Sequence, residues 1–540
     1  MTELVETQNL AMPGLIAGFR NSVERFPARP ALFVDGDFLT YDSLGKLVHK
    51  LAATILELDH NQNPLVAVLA HRSLTAYASV LAIQSTGKGY VPLNPKMPVE
   101  RLVKMLRQSE CEVLTAGREA LQTLEGLLPR VERRLTILLP DLADEATLSC
   151  AFPHHRFITS DRMSHGSRDL AIPCVSPDAV AYLLFTSGST GEPKGVPVSQ
   201  SNVKSYVQYV CDKYQVNEHD RFSQMFDMTF DLSVHDMFVC WERGACLYSV
   251  PEKSVMAPAK FIKDHQLTMW FSVPSVVGFM SKMGMLKPGA FSSLRFSLFC
   301  GEPLPAAYAS LWQEAAPQSV IENLYGPTET TIAITGFRWN SRNSPSVCVN
   351  GIVPIGWVFE GHTACVIDQE RNPVSTGTRG ELSLAGPQVT LGYLNNPYQT
   401  AEQFVQLRSY GDRVWYRTGD LVTQDQSGCL YYLGRIDHQV KIRGYRVELQ
   451  EIDFVLREAS GSQQVASVAW PVTEGIADGI VGFICGGTNR DANAILGHCR
   501  EMLPEYMVPR QIYYLDDIPL NVNGKTDRLK LIKILENQEA

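Results

Sequence analysis

Apolar residues in the first half of the chain come in short blocks separated by amphipathic stretches of helix length. Residues 66–70 (VAVLA) form a wholly apolar run of strand length, 75–84 reads as a helix, and 89–95 (GYVPLNP) reads as a strand ending in turn residues. Residues 98–106 have amphipathic spacing with a mixed charged face. Strand-like runs recur at 181–185, 268–273, 296–300 and 319–324, with helix-length segments between them. This alternation predicts a layered α/β fold and argues against a sandwich or a bundle. After about residue 350 the texture changes to short strands set off by Gly, Pro and Asn, as in 380–386 (GELSLAG), which predicts a small β-rich subdomain. A compact tail begins near residue 434. It has helix patterns at 449–459 and 491–503 and strands at 465–470, 480–484 and 511–515, enough chain for a modest core. Residues 434–448 (GRIDHQVKIRGYRVE), rich in charge and glycine, are expected to be an exposed connection. The organisation expected is a large N-terminal body of layered α/β subdomains, with the β-rich subdomain attached, and a small α+β C-terminal lid.

Composition narrows the classes. At 540 residues the chain exceeds what one core usually holds, so two or more domains are expected. With 45% hydrophobic and 19% charged residues it reads as a soluble globular protein. Fifty-seven acidic against 48 basic side chains give a net charge of -9, the wrong sign for a general nucleic-acid binder. Twelve cysteines are scattered without C-x-x-C pairs or neighbouring histidine clusters, which suggests neither a zinc site nor a disulfide framework. The first twenty residues carry acids at once and lack the order of a secretory signal, and no apolar run reaches membrane-spanning length. A reducing, cytoplasmic setting is the expectation.

The sharpest chemical signal lies at 183–196 (LLFTSGSTGEPKGV). An apolar strand opens into Thr186, Ser187, Gly188, Ser189, Thr190 and Gly191, with Lys194 close behind. Glycines free backbone N–H groups to turn toward an anion, hydroxyls add donors and the lysine adds charge, so a polyphosphate is the natural guest. The spacing is not that of a Walker A loop, because Gly195 follows Lys194 where Ser or Thr is required.

This loop resembles the signature of the adenylate-forming enzymes, the superfamily of acyl-CoA synthetases, luciferases and nonribosomal-peptide adenylation domains. Further motifs agree in order along nearly the whole chain, from LTYDSL at 39–44 to NGKTDR at 523–528. The resemblance implies ATP and Mg²⁺ as cofactors. In YGPTET (325–330) it implies that Tyr325 lies against the adenine, that Glu329 helps hold Mg²⁺, and that Asn323 sits near the adenine amino group. Gly301, Glu302, Gly326 and Thr328 carry over as further nucleotide contacts. In RTGD (417–420) Asp420 is implied to accept from the ribose hydroxyls. Arg435 and Asp437 are implied to form the hinge at 435–438, between a body of residues 1–434 and a mobile lid of 439–540. Lys525 matches the catalytic lysine on the lid. The chemistry wants it there: a carboxylate attacking the α-phosphate brings two anions together, and a preorganised cation lowers that barrier.

TFDLSVHDMF (229–238) resembles the segment lining the acyl pocket of amino-acid-activating members. Asp231 matches the aspartate that pairs with the substrate's α-ammonium, a role with physical logic because a buried ammonium needs a carboxylate partner. A strand-end or helix-capping aspartate is the alternative. The same resemblance puts Leu232, His235, Ser272, Leu298, Cys300, Leu324, Ile332 and Ala333 in the pocket wall. Aliphatic and small polar groups without an acid or base, His235 apart, imply a small or medium uncharged amino acid such as Ala, Ser, Cys, Thr or Pro. Gln200 stands where many relatives place a histidine, which would alter a contact beside the acyl pocket. Ala540 follows too soon after Lys525 for a carrier domain, so the expected enzyme is a stand-alone adenylation protein that loads a separate phosphopantetheinylated carrier protein. A CoA ligase for a carboxylic acid, a D-alanine–carrier protein ligase and a catalytically silent nucleotide-binding module are the alternatives.

Overall fold

The computed structural model describes residues 11–58, 63–164, 171–188, 192–255, 257–436, 439–473, 476–487, 491–520 and 526–539. Ser189, Thr190, Gly191, Asp437 and Lys525 lie outside the described residues.

Two large sheets build the body. The apolar run near residue 66 becomes strand Leu65–Leu69, buried along its length, at the centre of a seven-stranded sheet. Wholly apolar strands suit a parallel sheet covered on both faces. Every pairing here is parallel except the edge hairpin of Val180–Thr186 and Lys194–Ser199. The second sheet has nine strands. Its centre, from Pro30–Val34 through Val320–Tyr325, is parallel and its edges are antiparallel.

Helix Leu74–Ser85 shows how the sheets are joined. Eleven of its twelve residues are buried, so it presents no face to solvent. Tyr77 Oη donates to Gln224 Oε1 of the nine-stranded sheet at 3.1 Å, and Gln84 Nε2 donates to Ala181 O of the seven-stranded sheet at 2.7 Å. The helix begins where the Ser73 hydroxyl accepts the Ala76 N–H. One continuous core, including Tyr77, Tyr182, Tyr206 and Trp241, fills the space between the layers.

The β-rich part is a five-stranded antiparallel sheet made of segments between Thr363–Ile367 and Leu430–Arg435. The tail has a four-stranded and a three-stranded sheet, with helices Leu449–Ser460, Ala492–Met502 and Arg528–Glu539 and apolar clusters of its own.

Residues 439–448 are not the exposed connection their charge suggests. Strands Gln439–Ile442 and Tyr445–Glu448 pair across a two-residue turn, with Ile442 opposite Tyr445. Arg443 (φ 51°) and Gly444 (φ 83°) both take the left-handed backbone that so tight a turn requires. Ile442 and Val447 face the tail core, and Gln439 and Glu448 are buried as well. The charged residues alternate with these, and the hairpin reaches into the body. The tail is seated there by a buried Arg101–Glu451 pair at 2.6 Å and by Tyr445 packing edge-on against Phe230.

Candidate active site

The glycine-rich loop is the turn of the Val180–Thr186/Lys194–Ser199 hairpin, with Thr186 opposite Lys194. At Gly188 a Cβ would lie 2.0 Å from Glu192 O, so only glycine lets the loop fold back on itself. Strands Phe296–Phe299 and Val320–Tyr325 run parallel and end together, so Cys300–Gly301–Glu302 and Gly326–Pro327–Thr328 emerge side by side. The carboxyl ends of parallel strands are where open α/β sheets take ligands.

A cavity of about 450 Å³ opens at this edge. Of the residues singled out by sequence, Thr186, Ser187, Asp231, Leu232, Cys300, Gly301, Tyr325, Gly326, Thr328, Asp420 and Arg435 line it. A small cavity beside it is lined by Gly301, Glu302, Asn323, Leu324 and Tyr325, among others. Lys441 of the tail hairpin lines both cavities, although nothing in its sequence context singles it out.

The small cavity holds an open hydrogen-bond acceptor. Asn323 Nδ2 donates to Val353 O at 3.2 Å and to Pro354 O at 2.9 Å, which uses both amide hydrogens and settles the side chain's orientation. Its Oδ1 is buried with no hydrogen-bond partner among the described residues. An acceptor left open in this way suits the exocyclic amine of adenine and opposes the carbonyl that guanine carries there. Asp420 Oδ2 accepts from Tyr325 Oη, and Asp420 Oδ1 from Arg435 Nη1 at 2.9 Å, so this acid is fixed at the wall by two neighbours. Thr186 Oγ1 is a second buried polar atom with no partner among the described residues. These groups fit a nucleotide.

Glu329 is fully buried and its carboxylate is engaged. Arg446 Nη1 reaches Oε2 at 2.9 Å and Oε1 at 3.1 Å, and Tyr393 Oη donates to Oε1 at 2.8 Å. Burial alone would push this carboxyl up, but Arg446 and Lys194 outweigh it and hold Glu329 below the usual carboxylate range. An oxygen ligand of this kind fits Mg²⁺, yet a divalent cation and the guanidinium cannot share it. Ser187 is engaged by the same hairpin: its Oγ donates to Arg446 O at 2.9 Å and accepts from Glu448 N–H at 3.1 Å. Lys194 lies 3.7 Å from Glu448 and over the ring of Tyr393.

At the other end of the large cavity stands Asp231. It opens a short helical turn, Leu232–Val234, but its side chain makes no capping bond, so the capping explanation fails. Asp231 Oδ2 accepts the Ile332 N–H at 3.3 Å. Burial pushes its carboxyl up to about 7, against the hydrogen bonds from Thr328 and Ile332. None of the ion pairs among the described residues involves it. Such an acid stays protonated over much of the pH range unless a cation enters the cavity beside it.

The rest of the proposed acyl wall is sorted by depth. Leu232 and Cys300 reach the cavity, whereas His235, Ser272, Leu298, Ile332 and Ala333 are buried but do not line it, and Leu324 lines the smaller one. Leu298 lies two residues back along its strand from Cys300, about 6.6 Å deeper. His235 Nδ1 is 2.8 Å from Tyr206 Oη, and burial pushes the imidazole down to about 3, so it is neutral. Gln200 does not alter the cavity wall: Oε1 accepts from Leu15 N–H at 2.8 Å and Nε2 donates to Gln84 Oε1 at 3.0 Å, well inside the core.

Comparison with known proteins agrees with this geometry. The chain is 32% identical over 522 residues to an L-proline--[L-prolyl-carrier protein] ligase of Pseudomonas fluorescens, covering 96% of this chain and 98% of the relative. It is 29% identical to a D-alanine--D-alanyl carrier protein ligase of Lacticaseibacillus casei, covering 94% and 96%. Its fold matches the Vibrio cholerae adenylation domain AlmE, solved in complex with glycyl-adenosine-5'-phosphate, with a TM-score of 0.89, 35% identity and coverage of 99% and 100%. The family model described as AMP-binding enzyme matches residues 19–394, a span that holds the glycine-rich loop, Asp231, Asn323 and Glu329. With a cavity at the strand ends whose lining fits a nucleotide, and with this match across most of its length, the chain belongs to the AMP-binding enzymes.

Proposed function

We propose that the protein activates a small, uncharged amino acid with ATP, giving an aminoacyl-adenylate and pyrophosphate, and then passes the acyl group to the phosphopantetheine thiol of a separate carrier protein. Asp231 carries this reading. A buried carboxylate with no cationic partner is costly unless the substrate supplies one, and a free carboxylic acid substrate would leave it unpaired. Leu232 and Cys300 beside it, and the neutral His235 behind, offer no charge to a substrate side chain. The relatives named for proline and D-alanine and the neighbour holding glycyl-adenylate support a substrate of that size, glycine included.

In this reading Asn323 accepts from the adenine amine, Asp420 takes the ribose hydroxyls, and the 186–194 loop cradles the departing pyrophosphate. Glu329 would hold Mg²⁺, whose charge offsets that of the phosphates. Asp231 fixes the amine, so that a carboxyl oxygen meets the α-phosphorus in line. Lys525 stabilises the charge built up in that step. Residues 439–540 act as the lid, turning about 435–438. The twelve free thiols and the need for ATP support a cytoplasmic setting.

Amino-acid-dependent ATP–pyrophosphate exchange across the common amino acids tests the proposal. Exchange confined to small uncharged ones is expected; release of a CoA thioester from an acid lacking an amine would sink it. Lys525→Ala should lower exchange by about 10²–10³-fold with ATP binding kept, because the lysine acts in the transition state. Exchange at the wild-type rate removes that role.

The Asp231 carboxyl also sets a pH dependence. With its pKa near 7, the ionised form needed to receive an ammonium is lost as pH falls through that value. The KM for the amino acid should therefore be about tenfold higher at pH 6 than at pH 8, with the KM for ATP little changed. A flat amino-acid KM over that range contradicts the assignment.

A further inference from the structure

Residues 331–333, which meet Asp231 through the Ile332 N–H, have a strained backbone. Thr331 (φ 59°) and Ile332 (φ 71°) are consecutive β-branched residues in the left-handed region, which such side chains avoid. The Ala333 N–H closes back on Thr331 O at 2.9 Å, making a γ-turn centred on Ile332. With a positive φ at its centre this is the rarer, strained form. Strain of this kind persists only where the surroundings over-determine it.

Here one side chain does so. Gln388 is completely buried, and its Nε2 lies 3.2, 3.0 and 2.7 Å from the carbonyl oxygens of Thr330, Thr331 and Ala333. Its backbone oxygen accepts from Thr331 Oγ1 at 2.6 Å. A single amide thus brackets the turn on both sides of Ile332. The turn in return delivers the Ile332 N–H to Asp231 Oδ2 at 3.3 Å. Gln388 itself is not among the residues lining either cavity.

We infer that Gln388 is a positioning residue: it holds the 331–333 turn in the strained shape that aims the Asp231 carboxylate at the substrate's ammonium. The inference rests on the reading of Asp231 given above. It explains why a fully buried amide spends its donors on three backbone carbonyls around one turn. It also explains why two β-branched residues keep a backbone that glycine would hold at no steric cost.

Steady-state pyrophosphate exchange on the full chain tests it. In Gln388→Met, which keeps the volume and loses the donors, the KM for the amino acid should rise about tenfold, with kcat within about threefold and the KM for ATP within about twofold. Adding Ile332→Gly to that variant should recover about threefold or more of the lost affinity, since glycine takes the positive φ unaided and keeps the N–H. Gln388→Glu, of the same length, makes the same prediction for the two KM values. An unchanged amino-acid KM, a parallel rise in both KM values, no recovery with glycine, or failure of both Gln388 variants to fold overturns the inference. Failure of the functional reading looks different: the wild-type protein would then show no amino-acid-dependent exchange.

Discussion

Asp231→Asn should reduce amino-acid-dependent pyrophosphate exchange by about 10²–10³-fold, because an ammonium buried without its counter-charge costs roughly 3–5 kcal/mol. The loss should appear in the KM for the amino acid as well as in kcat/KM, with ATP binding retained. The same substitution should stabilise the free protein at alkaline pH. The folded-state pKa of Asp231 lies above its unfolded value, so its favourable contribution is complete below the unfolded pKa and is lost as pH rises through about 7. At pH 8 the wild-type chain carries an ionised, buried carboxylate with no cationic partner among the described residues, a charge that asparagine does not have and a difference on the order of 2–4 kcal/mol. Thermal melts should show the variant ahead at pH 8 and the gap closing toward pH 5. A variant that is both inactive and less stable at pH 8 would contradict this.

Gly444→Leu should separate the two half-reactions. The tail hairpin is seated with Gly444 against Val273, where a Cβ would come within 2.5 Å of Val273 Cγ1. Valine is branched at that point and cannot swing aside, and the φ of 83° at Gly444 adds its own cost. Leucine therefore keeps the hairpin from this seat. The seated hairpin puts Arg446 on both oxygens of Glu329, the carboxylate proposed for Mg²⁺. In the proposed function a guanidinium there takes the place of the metal, so we assign this arrangement to the step after pyrophosphate has left, acyl transfer. Pyrophosphate exchange in Gly444→Leu should stay within a few-fold of wild type, whereas loading of a phosphopantetheinylated carrier should fall about 10²-fold, as a misplacement of about 1 Å can produce. Equal losses in both assays would show that the hairpin seat serves adenylation too.

Much of the fold and the residues gathered at the strand-end cavity could be read along the chain, because buried parallel strands such as Leu65–Leu69 are uniform apolar runs and the glycine-rich loop has unusual chemistry. The tail hairpin could not. Its apolar positions, Ile442 and Val447, alternate with Lys441 and Arg446, so charge density suggested solvent where the charges instead enter the site. A strand alternation around an Arg-Gly turn was the signal available. Of the residues the sequence suggests for an acyl wall, Asp231 and Leu232 at the start of a helical turn and Cys300 just past a strand end do line the cavity. Spacing along the chain gives no depth, so Leu298 and Ser272 were placed with them although they do not line the cavity. Gln388 was invisible because its partners are backbone carbonyls, which leave no mark on residue types.

In the proposed function a buried carboxylate selects substrates by their amine. Inhibition by the sulfamoyl-adenosine analogue of the best amino-acid substrate, set beside the same analogue lacking only the amine, tests it most directly. Removing the amine should weaken inhibition by about 10²-fold or more in the wild-type enzyme and by little in Asp231→Asn. Equal inhibition of the wild-type enzyme by both compounds would contradict it.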